Sequence, residues 1–214
     1  MNAGTITAAD FVPASAPPPL DDSEIHLWLF PQWQRIADAA HASPARDLLA
    51  AYLDRSVEAI HIERGEHGKP HLADTSLEFN LSHTTDALLL AVSRNNVLGV
   101  DLESVGRRTR PALELARRFF TNDEATALAT FPEDLRQLAF LRLWCAKEAA
   151  LKAEGGGISS GLDRFAFTLD AYGQVSSCAG NPWHLHAVAP SPAHIGALAH
   201  REPVGRVRAF VAKT

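Results

Sequence analysis

The chain holds only two cysteines, Cys145 and Cys178, in 214 residues. Two thiols cannot build a disulfide framework, and neither belongs to a metal-spaced pair. A disulfide-rich secreted scaffold and a cysteine-ligated zinc module are thereby excluded. Long apolar runs are missing too. The stretch Ala87–Val92 stops after six residues, far short of the roughly 18 that a membrane-spanning helix needs. No basic region followed by an apolar one opens the chain, so nothing reads as a signal peptide. No basic segment with interleaved aromatics matches a nucleic-acid-binding motif. These absences lead to the expectation of a reducing, cytoplasmic protein that engages neither membrane nor nucleic acid.

What is present is an ordinary globular composition, 46% apolar and 21% charged, enough for one large domain or two small ones. The net charge of −5 hides an asymmetry. Residues 1–103 carry 6 Lys/Arg against 15 Asp/Glu, a balance of −9, while 104–214 carry 14 against 10, a balance of +4. Five arginines fall between Arg107 and Arg118. Such a cluster suits nucleic acid or an acidic protein as partner, and a solvated helix face explains it equally well.

Residues 1–22, rich in Ala, Thr and Pro with Pro17-Pro18-Pro19, read as a flexible leader. IHLWLF (25–30) reads as a first strand. Ser43-Pro44 starts a helix whose apolar spacing runs to about Ile60. LEFNLSH (77–83), ALLLAVSR (87–94) and VLGVDLE (97–103) read as strands, with Asn95-Asn96 as a hairpin turn. Thr121 and Glu124 have capping-box spacing. A long helix starts at Pro132 and is ended by Gly155–Gly157. Strand-like pieces follow at 164–170, 183–189, 194–200 and 207–212. Each half thus offers a helix and paired strands. The expectation is an α+β fold of two similar subdomains in pseudo-twofold arrangement, residues 23–104 and 105–214, without a visible sequence repeat.

Two short segments could carry chemistry. In GVDLE (99–103), strand alternation puts Asp101 and Glu103 on one face and Val100 and Leu102 on the other. Parallel carboxylates suit a hard divalent cation such as magnesium, which commonly takes one or two of them plus a substrate phosphate. Taken alone, exposed acids on an edge strand account for the pattern as well. In WCAKEAALK (144–152), Trp144, Glu148 and Lys152 share one helical face. A surface Glu–Lys pair beside a core tryptophan is the plain alternative to an acid and an amine placed for phosphoryl chemistry.

The two segments together resemble the signature pair of 4'-phosphopantetheinyl transferases, and more narrowly the large, pseudo-dimeric type that activates nonribosomal peptide and polyketide synthetases. Gly68-Lys69-Pro70 is similar to the GKP of that family, and Phe79-Asn80-Leu81-Ser82-His83 to its FN-x-SH. Phe119-Phe120 with Glu124 is similar to the segment between the signature motifs, and the matches run in order from about residue 64 to residue 162. GEHGKP (65–70) is not a phosphate-binding P-loop, since two residues instead of four separate its glycines and proline follows the lysine.

The resemblance implies an enzyme that moves the phosphopantetheine arm of coenzyme A onto a serine of an apo carrier protein and releases 3',5'-ADP. It implies magnesium, or manganese, held by Asp101, Glu103 and Glu148. Glu148 and Lys152 become the catalytic base and acid. Arg46, Lys69, Pro70, Ser82, His83, Asp101 and Lys152 become coenzyme contacts. Glu124 stands where the family has an acid near the metal, and its capping box with Thr121 explains it equally well. Arg35 and Arg64 are further candidates for the 3'-phosphate, because the first helix is poor in basic residues. The implied protein is a monomer whose partner is an acidic acyl or peptidyl carrier, docked by the arginines of 107–118. The other readings open to the same acids are a metal-dependent phosphohydrolase and a non-catalytic coenzyme- or carrier-binding module.

Overall fold

The computed structural model of the chain describes residues 4–33, 44–106, 111–156 and 161–213. Among these the strands are β1 (Ile6–Thr7), β2 (Phe11–Ala14), β3 (Glu24–Pro31), β4 (Ile62–Arg64), β5 (Pro70–Leu72), β6 (Leu77–His83), β7 (Ala87–Arg94), β8 (Leu98–Ser104), β9 (Phe167–Leu169), β10 (Val175–Ser177), β11 (His184–Ser191), β12 (His194–His200) and β13 (Arg206–Ala212). The helices are α1 (Pro44–Leu53), α2 (Ala112–Phe119), α3 (Asn122–Ala129) and α4 (Glu133–Glu154). The mixed α+β class is as the sequence led us to expect.

Two sheets carry the fold. One runs β2-β13-β3-β7-β6 and the other β1-β11-β12-β8, with β4–β5 and β9–β10 as short ribbons. The apolar surfaces stack them in four layers. Leu49 and Tyr52 of α1 cover Trp28, Leu90 and Phe210 on the outer face of the five-stranded sheet. Ile25, Leu27 and Leu89 of that sheet meet Leu98, Val100, Leu102 and Leu198 of the other. The far face of the four-stranded sheet, with Ile195, Ala197 and Ala199, is covered by α2, α3 and α4. Strand β7 is buried on both faces, which is why ALLLAV reads as a continuous apolar run and shows no alternation.

Local signals set several boundaries. Thr121 caps α3 through a capping box, and Gly155 ends the 22-residue α4 in left-handed conformation at φ 84°. Helix α1 stops at Leu53, earlier than its apolar spacing suggested, because Asp54 turns left-handed at φ 51°. A short turn at Val57–Ala59 follows it.

Two expectations are corrected. Residues 4–22 are not a loose leader: β1 pairs in parallel with β11, and β2 in parallel with β13, so the segment adds an edge to each sheet. The strand partners of that segment lie near the other end of the chain. A division at 104/105 also cuts across shared strands. β13 inserts between β2 and β3, while β8 closes the sheet that holds β11 and β12.

Candidate active site

Strand β8 is the edge of its sheet, with α4 lying over one face. Gly99 permits that approach, since a methyl there would stand 2.2 Å from the carbonyl oxygen of Ala149. The alternation then works as the sequence implied. Leu98, Val100 and Leu102 enter the core between the sheets, and Asp101 and Glu103 turn to the α4 side. Burial, with their charges alongside, pushes the Cys145 thiol of α4 well up, so it stays protonated and donates to the carbonyl of Ile195.

Three of the expected residues meet at one point. Lys152 Nζ donates to Asp101 Oδ1 at 2.7 Å and to Ser82 Oγ at 3.0 Å. Ser82 Oγ donates to Asp101 Oδ1 at 3.0 Å. The other oxygen, Asp101 Oδ2, is buried without a hydrogen-bond partner. Beside this cluster opens a cavity of about 260 Å³, lined by Lys152 and Glu148 from α4, Lys69 and Pro70 from β5 and the turn before it, and Asn80 from β6. Among the described residues no three His, Cys, Asp or Glu side chains are gathered as a ready-made metal cage.

Residues 97–199 match the family described as the 4'-phosphopantetheinyl transferase superfamily. The 4'-phosphopantetheinyl transferase HetI of Nostoc sp. is 32% identical over 174 residues, covering 79% of this chain and 72% of the relative. This chain belongs to the 4'-phosphopantetheinyl transferase superfamily. The 4'-phosphopantetheinyl transferase Sfp of Bacillus subtilis is 35% identical over 142 residues, 61% of each chain. The human L-aminoadipate-semialdehyde dehydrogenase-phosphopantetheinyl transferase is 33% identical over 135 residues, 58% of this chain and 44% of the relative.

The other candidate residues of this transferase stand apart from the cluster. Glu124 has both carboxylate oxygens engaged elsewhere: Oε2 accepts from Thr121 N and pairs with Lys147 Nζ, each at 2.8 Å, and Oε1 accepts from Phe167 N at 2.9 Å. Arg46 donates to the carbonyl of Ile60, and its Nε is buried without a partner. Arg64 donates to the carbonyl of Gly68. His83 is exposed at the end of β6, its ring 4.8 Å from that of Trp33 in a stacked pair. Lys69 Nζ donates to the carbonyls of Ala153 at 2.8 Å and Leu98 at 3.3 Å, tying the last turn of α4 to the start of β8. Burial pushes its ammonium below the ordinary lysine value, with Glu78 opposing. Arg35, Arg107, Arg108 and Arg110 lie outside the described residues.

Sequence reasoning missed Asn80 of the transferase as a site residue and Lys147 as the partner of Glu124. Both stood inside quoted motifs. What could have found Asn80 is its spacing, two residues before Ser82 on the same strand face.

Proposed function

We propose that this transferase moves the 4'-phosphopantetheine arm of coenzyme A onto a serine of an apo acyl or peptidyl carrier protein, releasing 3',5'-ADP, and works in the cytoplasm as a magnesium-dependent monomer. The observation that carries the reading is the meeting of Ser82, Asp101 and Lys152 beside a cavity that Glu148 also lines. Pyrophosphate chemistry needs mainly positioning and neutralisation of charge, and this set offers hydroxyl, carboxylates and ammonium in one place. Two free cysteines, one of them buried, are in keeping with a reducing compartment.

The donor set fits magnesium. That ion takes hard oxygen ligands and commonly one or two carboxylates plus substrate phosphates, so a three-acid cage is not required. The buried, unpartnered Asp101 Oδ2 is a ligand atom of that kind. Asp101 would hold the ion, with Glu103 and Glu148 carried as further ligands on the family resemblance, and manganese would accept the same oxygens. When bound, the ion supplies positive charge against the pyrophosphate.

The chain's own residues would then act as follows. A serine hydroxyl is a weak nucleophile at neutral pH, so Glu148 accepts its proton as the new oxygen–phosphorus bond forms. The bond between that phosphorus and the oxygen of the departing 3',5'-ADP breaks, and Lys152 delivers a proton or its charge to that oxygen. Lys69 and Pro70 would face the coenzyme from the cavity wall, with Ser82 bonded to Lys152 beside it. Arg46 and His83 are carried as coenzyme contacts on the family resemblance alone. Glu124, with its carboxylate fully engaged by Lys147 and main chain, is left out of the reaction. Arg117 and Arg118, exposed on the last turn of α2, would face an acidic carrier through complementary charge.

The test is a mass measurement on a panel of apo carriers incubated with the enzyme, coenzyme A and magnesium. The expected result is a gain equal to the phosphopantetheine arm on at least one carrier. No gain on any carrier would sink the proposal, and phosphate or nucleotide released without a carrier would favour a phosphohydrolase.

A further inference from the structure

Strand β8 ends its sheet, yet its outer edge is not left open. At alternate residues its main chain bonds side chains in place of a neighbouring strand. The carbonyl of Leu98 accepts from Lys69 Nζ at 3.3 Å, and Val100 N donates to Asn80 Oδ1 at 2.9 Å. The carbonyl of Val100 accepts from Lys152 Nζ at 3.2 Å, and Leu102 N donates to Ser82 Oγ at 3.2 Å. Three separate motifs, GKP, FNLSH and WCAKEAALK, thus line one edge of the strand that carries a fourth, GVDLE. Buried main-chain groups need partners, and an edge strand with only one neighbour can slide or twist. These side chains take the place of the missing strand.

Asn80 is the member of this edge with the least connection to substrate chemistry. It is 3% exposed. It sits on the face of β6 turned away from Phe79 and Leu81, which join the apolar layer under α1. The Val100 N–H requires an acceptor, so the amide is oriented with Oδ1 toward β8. We infer that Asn80 is a positioning residue for the transfer: it fixes the Gly99–Val100 peptide, and through Val100 the aim of Asp101 and Glu103. This rests on the proposal that those acids grip the pyrophosphate. A coenzyme ligand at Asn80 would be a different role, with a different kinetic signature.

The experiment compares wild type, Asn80→Ala and Asn80→Asp by steady-state kinetics, magnesium titration and amide hydrogen exchange. Asn80→Ala should lower kcat about tenfold or more and raise the magnesium concentration for half-maximal rate, leaving KM for coenzyme A within about twofold. Exchange at the Val100 amide should speed up roughly tenfold or more in that variant. Asn80→Asp keeps an acceptor in the same place, so it should restore the amide protection and most of the turnover at saturating magnesium. A raised KM for coenzyme A with unchanged kcat and unchanged Val100 exchange would overturn the inference, as would wild-type behaviour of Asn80→Ala. Should Asn80→Ala fail to fold, wild type and Asn80→Asp decide: a Val100 amide exchanging as fast as open edge amides overturns it. Failure of the functional reading is distinct, because wild type would then modify no carrier while the amide pattern stood.

Discussion

Helix α4 carries two lysine–carboxylate pairs that differ in surroundings more than in contact distance. Lys147 and Glu124 meet at 2.8 Å with side chains 0% and 2% exposed, whereas Lys152 and Asp101 meet at 2.7 Å with 29% and 8%. Lys147 also donates to the carbonyls of Leu162 and Phe165, both at 2.8 Å. Burial pushes its ammonium below the ordinary lysine value while Glu124 pulls the other way. Glu124 has no oxygen left over, so the pair is closed and fastens α3 and the chain after α4 to the helix. Asp101 keeps one buried oxygen without a partner, and Lys152 borders a cavity. If Lys152 and Asp101 act as proposed, contact distance does not separate a structural ion pair from a reactive one. A remaining lone pair and room for a ligand do.

The largest effect should come from the open pair. Asp101→Ala is expected to lower carrier modification about a thousandfold or more, near 4 kcal/mol in the barrier. Its thermal melt should barely move, because Lys152 keeps two other acceptors and some solvent. Wild-type turnover in this variant would erase the distinction between the pairs. The closed pair should respond in the opposite way. Glu124→Ala leaves a buried ammonium without its counter-charge, and urea unfolding should show a loss of about 3–5 kcal/mol. Its folded fraction should retain turnover within a few fold. Lost turnover at unchanged stability would exchange the two roles.

Acid should act on a set of histidines that lie away from both pairs. Burial, with His200 and His184 alongside, lowers His186 to about 4, and burial also lowers His26 and His200. The unfolded chain takes up these protons near pH 6.5, while the folded chain resists. The histidine contribution to stability should therefore be level above pH 6.5 and fall as pH drops from there toward 4. His186 contributes up to about 3 kcal/mol of that fall. Unfolding at a series of pH values should show a shallower fall in His186→Phe than in wild type. An unchanged fall in that variant would remove His186 from the account. The smallest of these effects is on Lys152→Ala, where turnover should drop about a hundredfold while KM for coenzyme A changes little. Equal losses in both parameters would make Lys152 a binding residue instead of an acid.

Much of the fold was legible where local pattern and tertiary role agree. Strands β6, β7 and β12 follow the boundaries read from LEFNLSH, ALLLAVSR and HIGALAH, since turn residues bracket each run. Helix α4 ends at its glycines. The N-terminal strands were not legible, because a short segment holding Pro13 and Pro17 has no pattern that names parallel partners near residues 188 and 209. The site divides likewise. Asp101 and Lys152 could be picked out by motif. The engagement of Glu124 by Lys147 and of Lys69 by two carbonyls could not, since these bonds join residues far apart in sequence.

By itself the sequence determined the residue types and their phase: Asp101 with Glu103 on one strand face, Glu148 with Lys152 on one helix face, and glycine at 99. Those follow from the periods of strand and helix, which are properties of neighbouring residues. Only the tertiary structure decided which lysine meets which carboxylate, which acid keeps an open oxygen, and what closes the outer edge of β8. Lys147 and Glu148 are adjacent in the chain yet turn to different sides of α4, one into the core and one to the cavity. Burial and the supply of partners settle that difference, and both depend on chain segments far away in sequence.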